Sequence, residues 1–180
     1  MLAAYEAGDE AGMRANAEAI INLIVGNQRS DMYGDWDGDG SNTDPGDGYG
    51  LLQNGEQTGY IAAIYAQLDP IVAAPDATAE IKQHALAVRV STQNLETWSV
   101  QLLDAASQIL QSPFDENLDP SVRVAQALAY QMYFGTDLDS SGVVDPLPGE
   151  SGAYEIYLHS YSLADMLIYP GASQMSPPAQ

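Results

Sequence analysis

Apolar side chains recur every three to four residues over most of this chain, which is the spacing of one face of an α-helix. The longest such stretch covers residues 77–111, and its apolar positions are Ile81, Ala85, Val88, Leu95, Trp98, Leu102, Ala106 and Ile109. A helix of this length would extend over about 50 Å, since each residue adds roughly 1.5 Å. We therefore expect it to form the centre of a helical bundle.

Four further helices are predicted around this long one, and no stretch alternates between apolar and polar residues as a half-buried strand would. They cover residues 1–25, 51–68, 121–134 and 153–169. Several of their ends are marked by proline, which lacks a backbone N–H and interrupts a helix. The predicted fold is an all-α, up-down bundle of four to five helices over residues 1–169, with a flexible tail or linker at residues 170–180.

Two loops, at residues 33–50 and 135–152, carry oxygen-bearing side chains at alternate positions. The alternating residues are Asp35, Asp37 and Asp39, followed by Gly40, and Asp137, Asp139 and Ser141, followed by Gly142. Side chains two positions apart can converge on one centre, and the glycine permits the positive φ that turns the chain around it. Because hard cations prefer such oxygen ligands, the pattern predicts two Ca²⁺ sites.

The two loops correspond at a constant spacing of 102 residues, which relates Asp35 to Asp137 and Gly50 to Gly152. One residue is inserted near the far end of the second loop, so that Asp47 corresponds to Glu150. We interpret this correspondence as an internal repeat of a helix–loop–helix unit.

Both loops resemble the calcium loops of EF-hand and dockerin proteins, which place side-chain oxygens at positions 1, 3 and 5, a glycine at 6, a backbone carbonyl at 7 and an acidic ligand at 12. The resemblance implies that the carbonyl groups of Ser41 and Val143 also bind the ion. It extends over the first half of the motif only, because position 12 is occupied by Gly46 and Pro148.

The acidic residues closest to position 12 complete the predicted ligand sets. Asp47 takes this place in the first loop and Glu150 in the second, where Asp145 could add a ligand through a bridging water. Ser141 supplies a neutral oxygen where the first loop has a carboxylate, so we expect the second loop to bind Ca²⁺ more weakly.

The whole-chain pattern, including residues 45–52, is also similar to an uncharacterised helical domain of exported bacterial proteins, a resemblance that implies no activity. Loops that bind Ca²⁺ with modest affinity suit the roughly millimolar Ca²⁺ concentration found outside cells. We therefore expect an extracellular or cell-surface protein, although residues 1–6 do not have the pattern of a signal peptide.

Charge and composition restrict the possible partners. The 25 acidic and five basic residues give a net charge of −20, which repels nucleic acids and anionic lipid surfaces. The chain has no cysteine, and no apolar run approaches the roughly 20 residues that span a bilayer. The expected partners are calcium and either other domains of the same protein or like subunits, without nucleic acid or membrane insertion.

No nucleophile, phosphate-binding loop or other catalytic motif is recognisable, so we do not expect an enzyme. The sequence favours a calcium-binding helical module with a structural, binding or assembly role. One alternative is a small redox metalloprotein or haem-type bundle that uses the two histidines, His84 and His159. Another alternative is a self-assembling surface-layer or filament subunit.

Overall fold

The computed structural model describes residues 1–29 and 31–165, and within these ranges the chain is helical and contains no β-strand. The helices are α1 (Leu2–Glu6), α2 (Glu10–Val25), α3 (Gly59–Ala73), α4 (Ala79–Gln111), α5 (Asp119–Phe134) and α6 (Ala153–Ala164), with a 3-10 turn at Glu116–Leu118. The all-α prediction is therefore confirmed.

Helix α4 contacts α2, α3, α5 and α6, which gives it the central position that its length suggested. Its N-cap is Thr78, whose side chain accepts a hydrogen bond from the backbone N–H of Ile81 (3.2 Å) and so satisfies a donor of the first turn. Most of its buried apolar residues join the main core with residues of α2 and α5, whereas Ala85 and Val88 pack with Leu68 of α3. The main core consists of Met13, Ala17, Ile21, Ile24, Val25, Ile61, Leu95, Trp98, Leu102, Leu103, Ala106, Ile109, Leu118, Val122, Ala125 and Met132.

The helix predicted at residues 1–25 is divided into α1 and α2. Gly8 adopts a φ of 73°, which a right-handed helix does not allow, and Asp9 accepts a hydrogen bond from the backbone N–H of Gly12 (2.9 Å). Asp9 is thus the N-cap of α2. This break explains why the described residues contain six α-helices where four to five were expected.

The helix predicted at residues 51–68 instead begins at Gly59 and continues to Ala73. Residues 51–58 form turns that include an isolated bridge between Asn54 and Gln57. Pro70 lies in the last turn of α3 and does not end the helix, although proline has no backbone N–H to donate. The last helix is described as far as Ala164, and residues 166–169 of its predicted range and the predicted tail at 170–180 lie outside the described residues.

Candidate metal centres

Loop 33–50 folds around the carboxylate of Asp35. Its Oδ1 atom accepts hydrogen bonds from the backbone N–H groups of Gly38 (2.7 Å) and Asp39 (3.1 Å), and its Oδ2 atom accepts one from Gly40 (2.9 Å). Gly40 has a φ of 92°, the left-handed conformation that was expected of a glycine at this position. The turn therefore wraps the chain around the first of the alternating aspartates.

Loop 135–152 folds in the same way around Asp137. The Oδ1 and Oδ2 atoms of Asp137 accept hydrogen bonds from the backbone N–H groups of Ser141 (3.0 Å) and Gly142 (2.8 Å). Asp139 Oδ1 also accepts from the Ser141 N–H (2.9 Å), and Gly142 has a φ of 94°. The donors and acceptors correspond to those of the first loop at the spacing of 102 residues seen in the sequence.

The two loops are also closed by corresponding backbone hydrogen bonds. The N–H of Asn27, just after α2, donates to the carbonyl of Gly48 (2.8 Å), and the N–H of Thr136, just after α5, donates to the carbonyl of Glu150 (2.7 Å). In each loop the acceptor lies two residues before the glycine that ends the loop. Each loop thus returns to the end of the helix from which it started.

Glu18, on helix α2, provides a carboxylate to the first loop that the sequence analysis did not include. The side chain is fully buried, and its Oε2 atom accepts hydrogen bonds from the backbone N–H groups of Trp36 (2.6 Å) and Asp37 (3.1 Å). Its Oε1 atom accepts a further bond from the N–H of Thr43. A buried carboxylate needs such donors or a cation beside it, since removing an ionised group from water is costly.

Glu150 has the corresponding role in the second loop. It is buried, and its Oε1 atom accepts a hydrogen bond from the backbone N–H of Leu138 (2.9 Å). Leu138 corresponds to Trp36, the residue that donates to Glu18 in the first loop. In each loop, the residue after the first aspartate therefore donates its backbone N–H to a buried glutamate. This glutamate belongs to the preceding helix in the first loop and to the end of the loop in the second.

Each loop brings three carboxylates together. The ligand oxygens of each group lie within 4.8 Å of one another, and the groups are Glu18, Asp35 and Asp37 in the first loop and Asp137, Asp139 and Glu150 in the second. Both groups could hold a metal ion. Like charges at this separation repel one another strongly unless a cation or protons neutralise them.

The electrostatics of Asp37 show the effect of this crowding. Partial desolvation raises the pKa of Asp37 above its usual value, and the nearby negative charges of Asp39, Glu18 and Asp35 raise it further. A bound cation would reverse the sign of the local field and favour the ionised carboxylate.

Buried asparagines attach both loops to the helical core. Asn22 lies one turn after Glu18 on α2, and its side chain bonds the carbonyls of Gly34 and Thr43 (both 3.0 Å) and the N–H of Gly34 (3.0 Å). Asn94, on α4, does the same for the second loop. Its side chain bonds the carbonyls of Leu147 (2.9 Å) and Ser151 (3.0 Å) and the N–H of Gly149 (2.6 Å). Because both amides have their hydrogen-bond partners, they hold the loops in defined positions against the helices.

The other residues predicted in the first loop lie beside its carboxylate group. Asp39 Oδ1 accepts hydrogen bonds from the N–H and the hydroxyl of Ser41 (both 2.8 Å). Asp47 is exposed and points elsewhere, since it accepts hydrogen bonds from the Tyr60 hydroxyl and the Tyr49 N–H (2.9 Å). The Tyr60 bond is the main cause of the lowered pKa of Asp47. The structure thus places Glu18, and not Asp47, with Asp35 and Asp37.

In the second loop, the Ser141 hydroxyl donates to the carbonyl of Val143 (3.2 Å), so the two predicted oxygens are neighbours. Asp145 does not belong to the group of three carboxylates and instead lies close enough to Glu155 to influence it electrostatically. Desolvation, together with the charge of Asp145, raises the pKa of Glu155.

The structure also brings together His84, on α4, and His159, on α6. Their Nδ1 atoms are 2.8 Å apart and their ring centroids are separated by 5.1 Å. Rings in direct contact leave no space for a porphyrin between them, so the pair does not fit a haem held by these two residues. Desolvation, with a smaller contribution from His84, lowers the pKa of His159 and favours its neutral form.

Comparisons with known proteins return no relative: no protein-family model, curated protein or solved structure matches this chain. No helix in the described part of the chain combines the length and apolar character needed to cross a membrane.

Proposed function

We propose that this protein is a calcium-binding helical module of an exported or cell-surface protein, in which two Ca²⁺ ions stabilise the fold. The observation that carries the proposal is the pair of carboxylate groups, each of which contains one fully buried glutamate facing two aspartates of a glycine-containing turn. Oxygen ligands on loops of this kind suit Ca²⁺, which takes six to eight oxygens in flexible geometry. Mg²⁺ is disfavoured because it requires a rigid octahedron and retains its water.

A structural role for the ions is supported by the position of the loops. Loop 33–50 lies between α2 and α3, and loop 135–152 joins α5 to α6. In the first loop an ion would bond Glu18 of α2 to Asp35 and Asp37, so that it would fix the loop against the helix. Calcium binding would then replace repulsion between carboxylates with attraction at both corners of the bundle.

A binding or assembly role is supported by the outer faces of α5 and α6. Six aromatic side chains on these helices are largely exposed, namely Tyr130, Tyr133, Phe134, Tyr154, Tyr157 and Tyr161. Aromatic side chains are enriched at protein interfaces because they combine a large apolar area with little loss of conformational entropy. Contact with another domain or a like subunit through these faces accords with the proposed module.

We expect calorimetric titration to show two Ca²⁺ ions bound per chain, with binding that persists in a large excess of Mg²⁺. The reason is that two flexible oxygen-rich loops satisfy Ca²⁺ but not the octahedral requirement of Mg²⁺. Equal competition by the two ions would show that the loops are acidic turns that attract cations without selectivity for Ca²⁺. As a matched control, Glu56→Gln removes an exposed carboxylate outside both groups and should leave the titration unchanged.

The first loop should bind Ca²⁺ more tightly than the second, because Asp39 supplies a charge where Ser141 is neutral. Trp36 provides a local probe, since its backbone N–H bonds Glu18 and its side chain is partly exposed (46 %). Asp37→Ala should remove the tighter event and the fluorescence change, whereas Asp139→Ala should affect only the weaker event. The opposite assignment would show that the packing around the second loop, and not ligand charge, sets the affinity.

A further inference from the structure

The histidine pair joins two helices that are distant in the sequence. His84 and His159 are 75 residues apart, and their rings meet where α6 packs against α4. Both side chains are partly buried at this contact. With the two Nδ1 atoms 2.8 Å apart, either one of them donates its N–H to the other or both bind an ion between them, because two unprotonated nitrogens repel at this distance.

Glu155 lies one turn before His159 on α6, on the opposite side of the ring. Its Oε2 atom is 3.6 Å from His159 Nε2, within ion-pair range and slightly longer than a hydrogen bond. A carboxylate at Nε2 favours the tautomer with the proton on that nitrogen. The Nδ1 atom, which faces His84, then carries a free lone pair that can bind a metal ion. Histidines that bind metals commonly present their second N–H to a carboxylate in this way.

We propose that His84 and His159 form a second kind of metal site, which binds a borderline transition-metal ion such as Zn²⁺ through both Nδ1 atoms and so ties α6 to α4. Imidazole nitrogens suit Zn²⁺, Cu²⁺ and Ni²⁺, whereas Ca²⁺ requires oxygen ligands. The site is therefore distinct in chemistry and position from the two loops.

The distance between the two Nδ1 atoms is close to the one that such an ion needs. With Zn–N bonds of about 2.0–2.1 Å, two nitrogens on a tetrahedral ion lie roughly 3.3 Å apart. The two rings would have to separate by only about 0.5 Å, a change that small side-chain rotations can supply. Since the chain has two histidines, water or another ligand would complete the coordination.

The test is a titration of the full chain with Zn²⁺ at neutral pH in the presence of saturating Ca²⁺, which occupies the carboxylate loops. We expect one Zn²⁺ per chain by calorimetry and a shift of the imidazole NMR signals of both histidines. His84→Ala and His159→Ala should each abolish this event. Glu155→Gln should weaken it by about 10- to 100-fold, the usual cost of losing a partner of a ligating histidine. Gln83→Ala, at an exposed position next to His84, should have no effect.

Two results would overturn the proposal. One is Zn²⁺ binding that is unchanged in both histidine variants, which would place the ion on carboxylates. The other is the absence of any imidazole shift up to millimolar Zn²⁺, which would leave the pair as a simple hydrogen-bonded contact. If an alanine variant fails to fold, as judged by circular dichroism, His84→Gln keeps a hydrogen-bonding side chain and removes the imidazole. Failure of this proposal is distinguishable from failure of the Ca²⁺ proposal, because the imidazole signals and the histidine variants report on Zn²⁺ at this pair whether or not the loops bind Ca²⁺.

Discussion

Excess chelator is expected to lower the melting temperature of this protein by about 10 °C or more, and added Ca²⁺ is expected to restore it. Each site occupied at about 100 times its dissociation constant stabilises the folded chain by about 2.7 kcal/mol. Two such sites give about 5 kcal/mol, and a chain of this size gains about 2–4 °C per kcal/mol. Thermal unfolding followed by circular dichroism, at several Ca²⁺ concentrations, measures the shift.

The double variant Glu18→Gln with Glu150→Gln provides the control for this experiment. It removes the buried glutamate of each group, so its melting temperature should no longer depend on Ca²⁺. A wild-type melting curve that is the same with chelator and with Ca²⁺ would contradict a structural role for the ions. A shift that persists in the double variant would show that Ca²⁺ stabilises the chain by screening its charge of −20 rather than by binding in the loops.

The helices could be predicted because their signals are local. The apolar spacing of α4 is regular over 33 residues, and its end at Gln111 coincides with the predicted one. The break at Gly8 was not predicted, because the alanine-rich sequence on both sides favours a helix and a single glycine there is only weakly unfavourable. The aspartate and glycine of the first half of each loop were likewise readable, because they lie within a few residues of one another.

The spacing of residues within the loop could not place Glu18 in the first carboxylate group, since Glu18 lies 17 residues before Asp35 on another element. A different signal was nevertheless present. Glu18 lies among the buried positions of α2, next to Ala17 and one turn before Asn22, where a carboxylate would be unfavourable without a partner. An acidic residue among the buried positions of a helix that leads into an acidic loop is thus a signal that its carboxylate belongs to the group of carboxylates formed by that loop.

The contact between His84 and His159 could not be predicted either, because it joins residues that are distant in the sequence. Nothing in the local sequence relates residues 84 and 159, and their proximity follows only from how α6 packs on α4. Asp47 shows the converse case. Its place in the loop suggested a ligand, whereas in the structure its carboxylate accepts a hydrogen bond from the hydroxyl of Tyr60, 13 residues further along the chain.

Glu18→Gln is expected to abolish Ca²⁺ binding at the first loop, whereas Asp47→Asn is expected to leave it nearly unchanged. The glutamine keeps the size of the side chain but removes its charge and turns one acceptor into a donor. That donor would face the backbone N–H groups that Glu18 now binds, at a cost of about 1–3 kcal/mol for each buried group left without a partner. Calorimetry, together with Trp36 fluorescence, separates the first loop from the second.

Asp47→Asn is a matched control because it also replaces a carboxylate with an amide, in the same loop and at an exposed position. It should alter mainly the contact with Tyr60. If it abolished the Trp36 response while Glu18→Gln retained it, the loop would have to rearrange around Asp47 when the ion binds. Loss of binding in Glu18→Gln alone would instead establish that helix α2 contributes a ligand. The first loop would then use a glutamate from the helix before it, where the second loop has a glutamate near its own end.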